Sequence, residues 1–77
     1  MKVTLESTTK VVELVGADGR IPARIWEGHT ESGIPVHAFI TRIAVHKDDD
    51  ASQFEAELKE QRNPTAAVAE IPLRMIL

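Results

Sequence analysis

The 77-residue chain contains no cysteine. That removes disulfides, thiolate metal sites and thiol nucleophiles together, and fits a reducing compartment. Long apolar runs are missing as well. No stretch approaches the ~20 apolar residues of a membrane span. The N-terminal MKVTLESTTK is interrupted at Thr4, Glu6 and Ser7, unlike the continuous apolar core of a secretion signal. A cytoplasmic protein without membrane contact is therefore expected. Nor is there a basic excess: 9 Lys and Arg against 12 Asp and Glu give a net charge of −3 and a pI near 5.5. Binding to a nucleic-acid backbone calls for the opposite balance. Internal repeats, low-complexity segments and linkers are absent too, so residues 1–77 read as one domain.

Recognisable catalytic frames are also lacking. Ser7, Ser32 and Ser52 stand in no Gly-x-Ser-x-Gly elbow, and no Lys-Ser/Thr follows Gly16 or Gly19 to make a phosphate loop. Asp48, Asp50 and Ser52 begin like a calcium loop. Position six is then Gln53 instead of Gly, and position twelve is Lys59 instead of Glu. His29, His37 and His46, with Glu27 or Glu31, are metal-capable residues without a local ligand pair. An acid/base role for Glu13 or Glu27 beside a histidine would require a carboxyl pKa raised by burial. No catalytic residue, metal or cofactor is assigned.

What is present is β-rich for two thirds of the chain. Val11–Val15, Arg20–His29 and Ile34–His46 concentrate Val, Ile, Thr and aromatics, and the breaks Gly16-Ala17-Asp18-Gly19 and Thr30-Glu31-Ser32-Gly33 separate them. A three-stranded antiparallel meander is predicted. Each turn ends in Gly, which suits a three-residue loop, a type I turn with a left-handed bulge residue. Pro22 and Pro35 then need places that demand no ladder donor.

After His46 the period changes. Ala51, Phe54 and Leu58 form a helical stripe, Glu55 precedes Lys59 by four, and Asp49, Asp50 or the Ser52/Glu55 pair can cap the start. A helix over about Asp50–Arg62 is expected. Asn63-Pro64 ends it and can open a short second helix through Ala69. Leu73–Leu77 reads as a final strand. The fold class is α+β, with the main helix packed on one face of the meander.

Three-residue loops would pair Val15 with Ile21 and Val11 with Ile25 in the first hairpin, and Trp26 with Ala38 and Glu27 with His37 in the second. One face then holds Val11, Val15, Ile21, Ala23, Ile25, Phe39, Ile43 and Val45. The other holds Val12, Leu14, Trp26, Val36, Ala38, Ile40 and Ala44, with Lys10, Arg24 and Arg42. A two-residue second loop would instead bring Trp26 onto the histidine face. One helix covers one face, so it is placed on the Ile25/Phe39 side. The Trp26 face is expected to meet a second subunit or a protein partner. Trp and Arg are enriched at the energetic centres of interfaces, and a chain this short buries only about 60% of its unfolded surface, which makes oligomerisation a natural supplement. The competing reading makes Trp26 ordinary core.

The candidate interface or ligand residues are accordingly Trp26, Arg24, Arg42, Ile40, Ala38, Val12 and Leu14. Arg20, Arg24 and Arg42 around the indole also suit an anionic or aromatic ligand, the alternative function. They could equally lay their stems over apolar neighbours and pair with glutamates.

The run RIPARIWEGHTESGIPVHAFITRIAVHKDDDASQFEAEL, Arg20 to Leu58, together with the ending IPLRMIL, resembles small bacterial proteins of mobile and accessory elements, of the integron gene-cassette type. The resemblance implies a free-standing, self-associating α+β protein and carries over no catalytic or binding residue.

Overall fold

A computed structural model describes residues 1–17, 19–71 and 74–76, with side chains for 1–17 and 19–71. Its strands are β1 (Val3–Gly16), β2 (Gly19–Thr30) and β3 (Pro35–Ile40), followed by helices α1 (Ala51–Leu58) and α2 (Ala66–Ala69). The three strands form an antiparallel sheet, so the α+β class and the meander are found. A strand over the whole of 73–77 is not borne out. Leu73 and Leu77 lie outside the described residues; among the described residues a short segment, β4 (Arg74–Ile76), pairs parallel to β1 at Glu13–Val15. The sheet order is β3-β2-β1-β4.

The second hairpin has the expected loop. Gly33 N–H donates to the Thr30 carbonyl and Thr30 N–H to the Ile34 carbonyl, both at 3.0 Å, and Gly33 has φ +87°. This is the type I turn with a left-handed bulge residue, and it sets Trp26 opposite Ala38 and Glu27 opposite His37. Counting back in twos from Thr30, the last residue pair bonded across β2 and β3 is Arg24–Ile40. The next would need an N–H from Pro22, which has none. That explains why the strand expected to run through His46 stops at Ile40.

The first hairpin differs from expectation. Gly16 is opposite Gly19, whose φ is +118°, so the loop has two residues instead of three. A one-residue change moves every side chain of a strand to the other face. Val12 lies opposite Ala23 and Leu14 opposite Ile21, so both join the Ile25 face, while Val11 and Val15 move to the Trp26 face.

β1 also begins eight residues earlier than expected, pairing Val3–Ser7 with Thr30–Trp26. Between its two halves Thr8, Thr9 and Lys10 stand against Ile25 alone. Two extra residues preserve the alternation, so odd positions of β1 share the Trp26 face on both sides of the bulge. The bulge is internally satisfied. Thr8, fully buried, donates its hydroxyl to the Ile25 carbonyl at 2.6 Å and accepts from Lys10 N–H at 3.3 Å. On the outer edge, Arg62 N–H donates to Ser7 O at 3.1 Å and Thr9 N–H donates to Arg62 O at 2.9 Å. Farther along the ribbon β1 and β2 come so close that a β-carbon on Gly28 would run into the Thr4 carbonyl.

The core is Val12, Leu14, Ala23, Ile25 and Val68, with Phe39 and Ile71 packed against it. Val68 comes from α2, so the Ile25/Phe39 face is covered by α2 and not by α1 as expected. Lys10 Nζ donates to the Ala69 carbonyl at 3.2 Å, tying the end of α2 to the bulge. α1 is shorter than the expected 50–62 and buries none of its residues. Asp50 caps it, accepting from Ser52 N–H at 2.9 Å. Its Leu58 lines the same recess as Trp26, so α1 belongs to the opposite side of the sheet. Among the described residues no helix is long and apolar enough to cross a membrane.

Candidate functional site

Trp26 sits mid-sheet, between Ser7 on β1 and Ala38 on β3, and is half-buried. Two open recesses flank it where the α1 end of the chain passes over the sheet. Each shares Ser7, Trp26, Leu58 and Gln61 as its divider from the other. The first, about 380 Å³, adds Leu5, Glu6, Glu57, Glu60 and Arg62. The second, about 410 Å³, adds Arg24, Ile40, Thr41, Arg42 and Ile43.

Four of the seven residues expected to act together, Trp26, Arg24, Arg42 and Ile40, therefore do meet in one recess. Ala38 lies beside them on the same face, opposite Trp26. Val12 and Leu14 do not belong to this group. They are 2% and 8% exposed in the core on the other face, because the first loop is one residue shorter than expected. Ile43, expected with Ile25, instead lines the Trp26 recess, since β3 has already ended. Trp26 and His37 occupy opposite faces, as the three-residue second loop requires.

The three arginines divide by partner. Arg20 pairs with Glu13 at 3.5 Å on the exposed surface. Arg24, half-buried, donates Nη1 to the Thr8 carbonyl at 2.9 Å, bracing the bulge. Arg42 is exposed, and neither Arg24 nor Arg42 has a carboxylate partner among the described residues. Two guanidinium groups with uncommitted donors thus open beside an indole. Such groups bind carboxylate or phosphate oxygens in a planar, two-point fashion.

The second polar constellation lies on the other face. Glu27 is 7% exposed. Its Oε1 accepts from Arg62 Nη1 at 3.0 Å and from Thr65 N–H at 2.9 Å, and its Oε2 accepts from the Thr65 hydroxyl at 2.6 Å. Arg62 also reaches Glu6 at 3.3 Å. Burial pushes the Glu27 carboxyl upward, but the Thr65 hydroxyl, the Thr65 N–H and the Arg62 guanidinium together outweigh it and hold the pKa below its ordinary value of 4.5. A general base would need the opposite shift, so Glu27 lacks the property that the acid/base reading requires. It is a clamp joining β2 to the chain between α1 and α2. His37 does face Glu27 across the ladder, yet its ring packs edge-on against Phe39 at 5.4 Å, while the carboxylate is taken by Arg62 and Thr65.

Sequence reasoning missed both clamp residues. From the sequence Arg62 reads as the end of a helix, and Asn63-Pro64 as the start of the next. A threonine ahead of Ala-Ala-Val was the available signal, since Thr65 is the N-cap of α2. The histidines are dispersed: His46 lies against Asp48 at 3.6 Å on the surface, and no group of three metal-capable residues forms among the described residues. No family model, curated protein or solved structure matches the chain, which leaves its own geometry as the basis for a functional reading.

Proposed function

We propose that the chain is a non-catalytic, homo-oligomeric accessory protein that works by binding, through the sheet face around Trp26, to itself or to a protein partner. The carrying observation is that α1 contributes no buried residue while Trp26 stays half-buried beside exposed Leu58 and Ile43, which are 42% and 46% exposed. A helix that covers a sheet for the sake of the fold buries its own apolar stripe. Here Leu58 of that stripe and the indole remain available together, and Arg24 and Arg42 at the margin supply donors for a partner's carboxylates. Trp and Arg around an apolar centre are the composition of interface hot spots.

The test is direct because Trp26 is the only tryptophan. Its emission should shift to the blue as concentration rises or as a partner is added, and Trp26→Ala should reduce the sedimenting mass without loss of secondary structure. A variant that keeps both its fold and its mass removes the reading.

A second reading, a binder of small anionic or aromatic ligands, is favoured by the recess of about 410 Å³ with Arg24 and Arg42 at its rim. That volume lies within the range of ligand pockets. Benzoate and phosphate are suitable probes. Saturable quenching of Trp26, abolished by Arg42→Ala, supports it, and no response at millimolar probe sinks it.

A further inference from the structure

The two recesses beside Trp26 carry opposite charge. The first contains Glu57 and Glu60, which have no side-chain partner among the described residues. Its only arginine, Arg62, is already committed to Glu6 and Glu27. The second contains Arg24 and Arg42 and no acidic residue. Between them stand Trp26 and Leu58, shared by both. The face therefore runs from acidic through apolar to basic.

A two-fold interface uses one patch twice, so the patch must complement itself after a half-turn. This one does. An axis lying in the plane of the interface, crossing the Trp26–Leu58 divider at right angles to the acidic-to-basic direction, lays Arg24 and Arg42 of one copy against Glu57 and Glu60 of its neighbour, and repeats the contact on the other side. The indoles and leucines meet at the centre, where water is excluded most fully. A different protein would have to present both charges at the matching separation, whereas a second copy does so by symmetry. We infer that the occupant of the Trp26 face is a second copy of this chain, in an isologous dimer held by reciprocal pairs between Arg24/Arg42 and Glu57/Glu60. The inference rests on the reading of that face as the binding surface, and adds to it the partner and the orientation.

The experiment uses charge exchange at exposed positions. Arg24 is left alone because it braces the bulge. Variants Glu57→Lys/Glu60→Lys and Arg42→Glu are compared with the unaltered chain by sedimentation velocity over a concentration series, with circular dichroism as the check on folding. The unaltered chain should dimerise. Each variant alone should self-associate about tenfold or more weakly, since like charges brought together cost several kcal/mol and 1.4 kcal/mol is a factor of ten. An equimolar mixture of the two should recover a mixed dimer tighter than either variant with itself. A chain that is monomeric at every concentration, or a dimer indifferent to both charge variants, overturns the inference. In the indifferent case Trp26→Ala separates the two levels. If it dissociates the dimer, the face is the binding surface in another orientation. If it does not, the surface itself is wrong.

Discussion

The two faces of the sheet are built from the same strands and are finished differently. On one, Ile25, Val12, Ala23 and Val68 are at most 3% exposed, and the Glu27–Arg62–Thr65 clamp closes the rim. On the other, Trp26 and Phe54 are half-buried, no α1 residue is fully buried, and among the described residues Arg24 and Arg42 on one flank and Glu57 and Glu60 on the other have no ionic partner. The difference teaches which face carries the packed core and which leaves apolar surface open among the described residues. The four-residue α2 does more for the core than the eight-residue α1, because one well-placed valine completes a layer. α1 lies on a surface that the described residues leave partly open.

The strongest way to break that comparison is to truncate one residue on each side. Ile25→Ala should cost about 2–5 kcal/mol, the range for emptying a packed aliphatic site, measured by urea unfolding. Trp26→Ala, assayed at a dilution where the chain is monomeric, should cost less despite the larger side chain. Equal or reversed costs would mean that the Trp26 face belongs to the private core and that the asymmetry is not real.

How far this asymmetry was legible in the sequence depended on two turns. Glu31-Ser32-Gly33 suits a three-residue loop better than the two-residue alternative, and from it follow the pairing of β2 with β3 and the separation of Trp26 from His37. Gly16-Ala17-Asp18-Gly19 has glycine at both ends, so loops of two and three residues fit equally, and the wrong choice exchanged Val12 and Leu14 with Val11 and Val15. One further signal was overlooked. A first strand of only Val11–Val15 would leave the far half of β2 without a neighbour on the edge away from β3, and the alternation Val3, Leu5, Ser7 was available to supply it. The stripe of Phe54 and Leu58 showed which side of α1 is apolar but not which side of the sheet it meets. The clamp was illegible for a similar reason, since Glu27 lies far in sequence from Arg62 and Thr65, and Arg62 is held at the bulge in β1 by backbone bonds to Ser7 and Thr9.

A change of intermediate size sharpens the account of the finished face. Glu27→Gln keeps the shape but removes the charge that Arg62 and Thr65 address. It should destabilise the protein at neutral pH by about 1.5–3 kcal/mol, the worth of hydrogen bonds to a charged group. The sign with pH follows from the lowered pKa. The unfolded chain takes up its proton on this carboxyl near 4.5, before the folded chain does. The contribution is therefore full above that pH and is lost as pH falls through it toward the folded value. Urea midpoints of the unaltered protein should drop as pH falls below about 4.5. The Gln variant should drop less, and parallel curves would show that Glu27 does not carry the dependence.

The smallest expected effect tests the unfinished face. Asp50 caps α1 through Ser52 N–H at 2.9 Å and the Ser52 hydroxyl at 2.7 Å, and those two bonds hold its carboxyl below the ordinary value of 3.8. Asp50→Ala should fray the first turn of α1, since an N-terminal amide loses its acceptor. The core contains no α1 residue, so the global unfolding midpoint should scarcely move, while amide exchange in residues 51–54 accelerates. If α1 serves the Trp26 face, self-association should weaken in step with that fraying, because Leu58 and Glu57 are presented from the same helix. A fall in global stability without a change in association would place α1 with the core and undo the division between the faces.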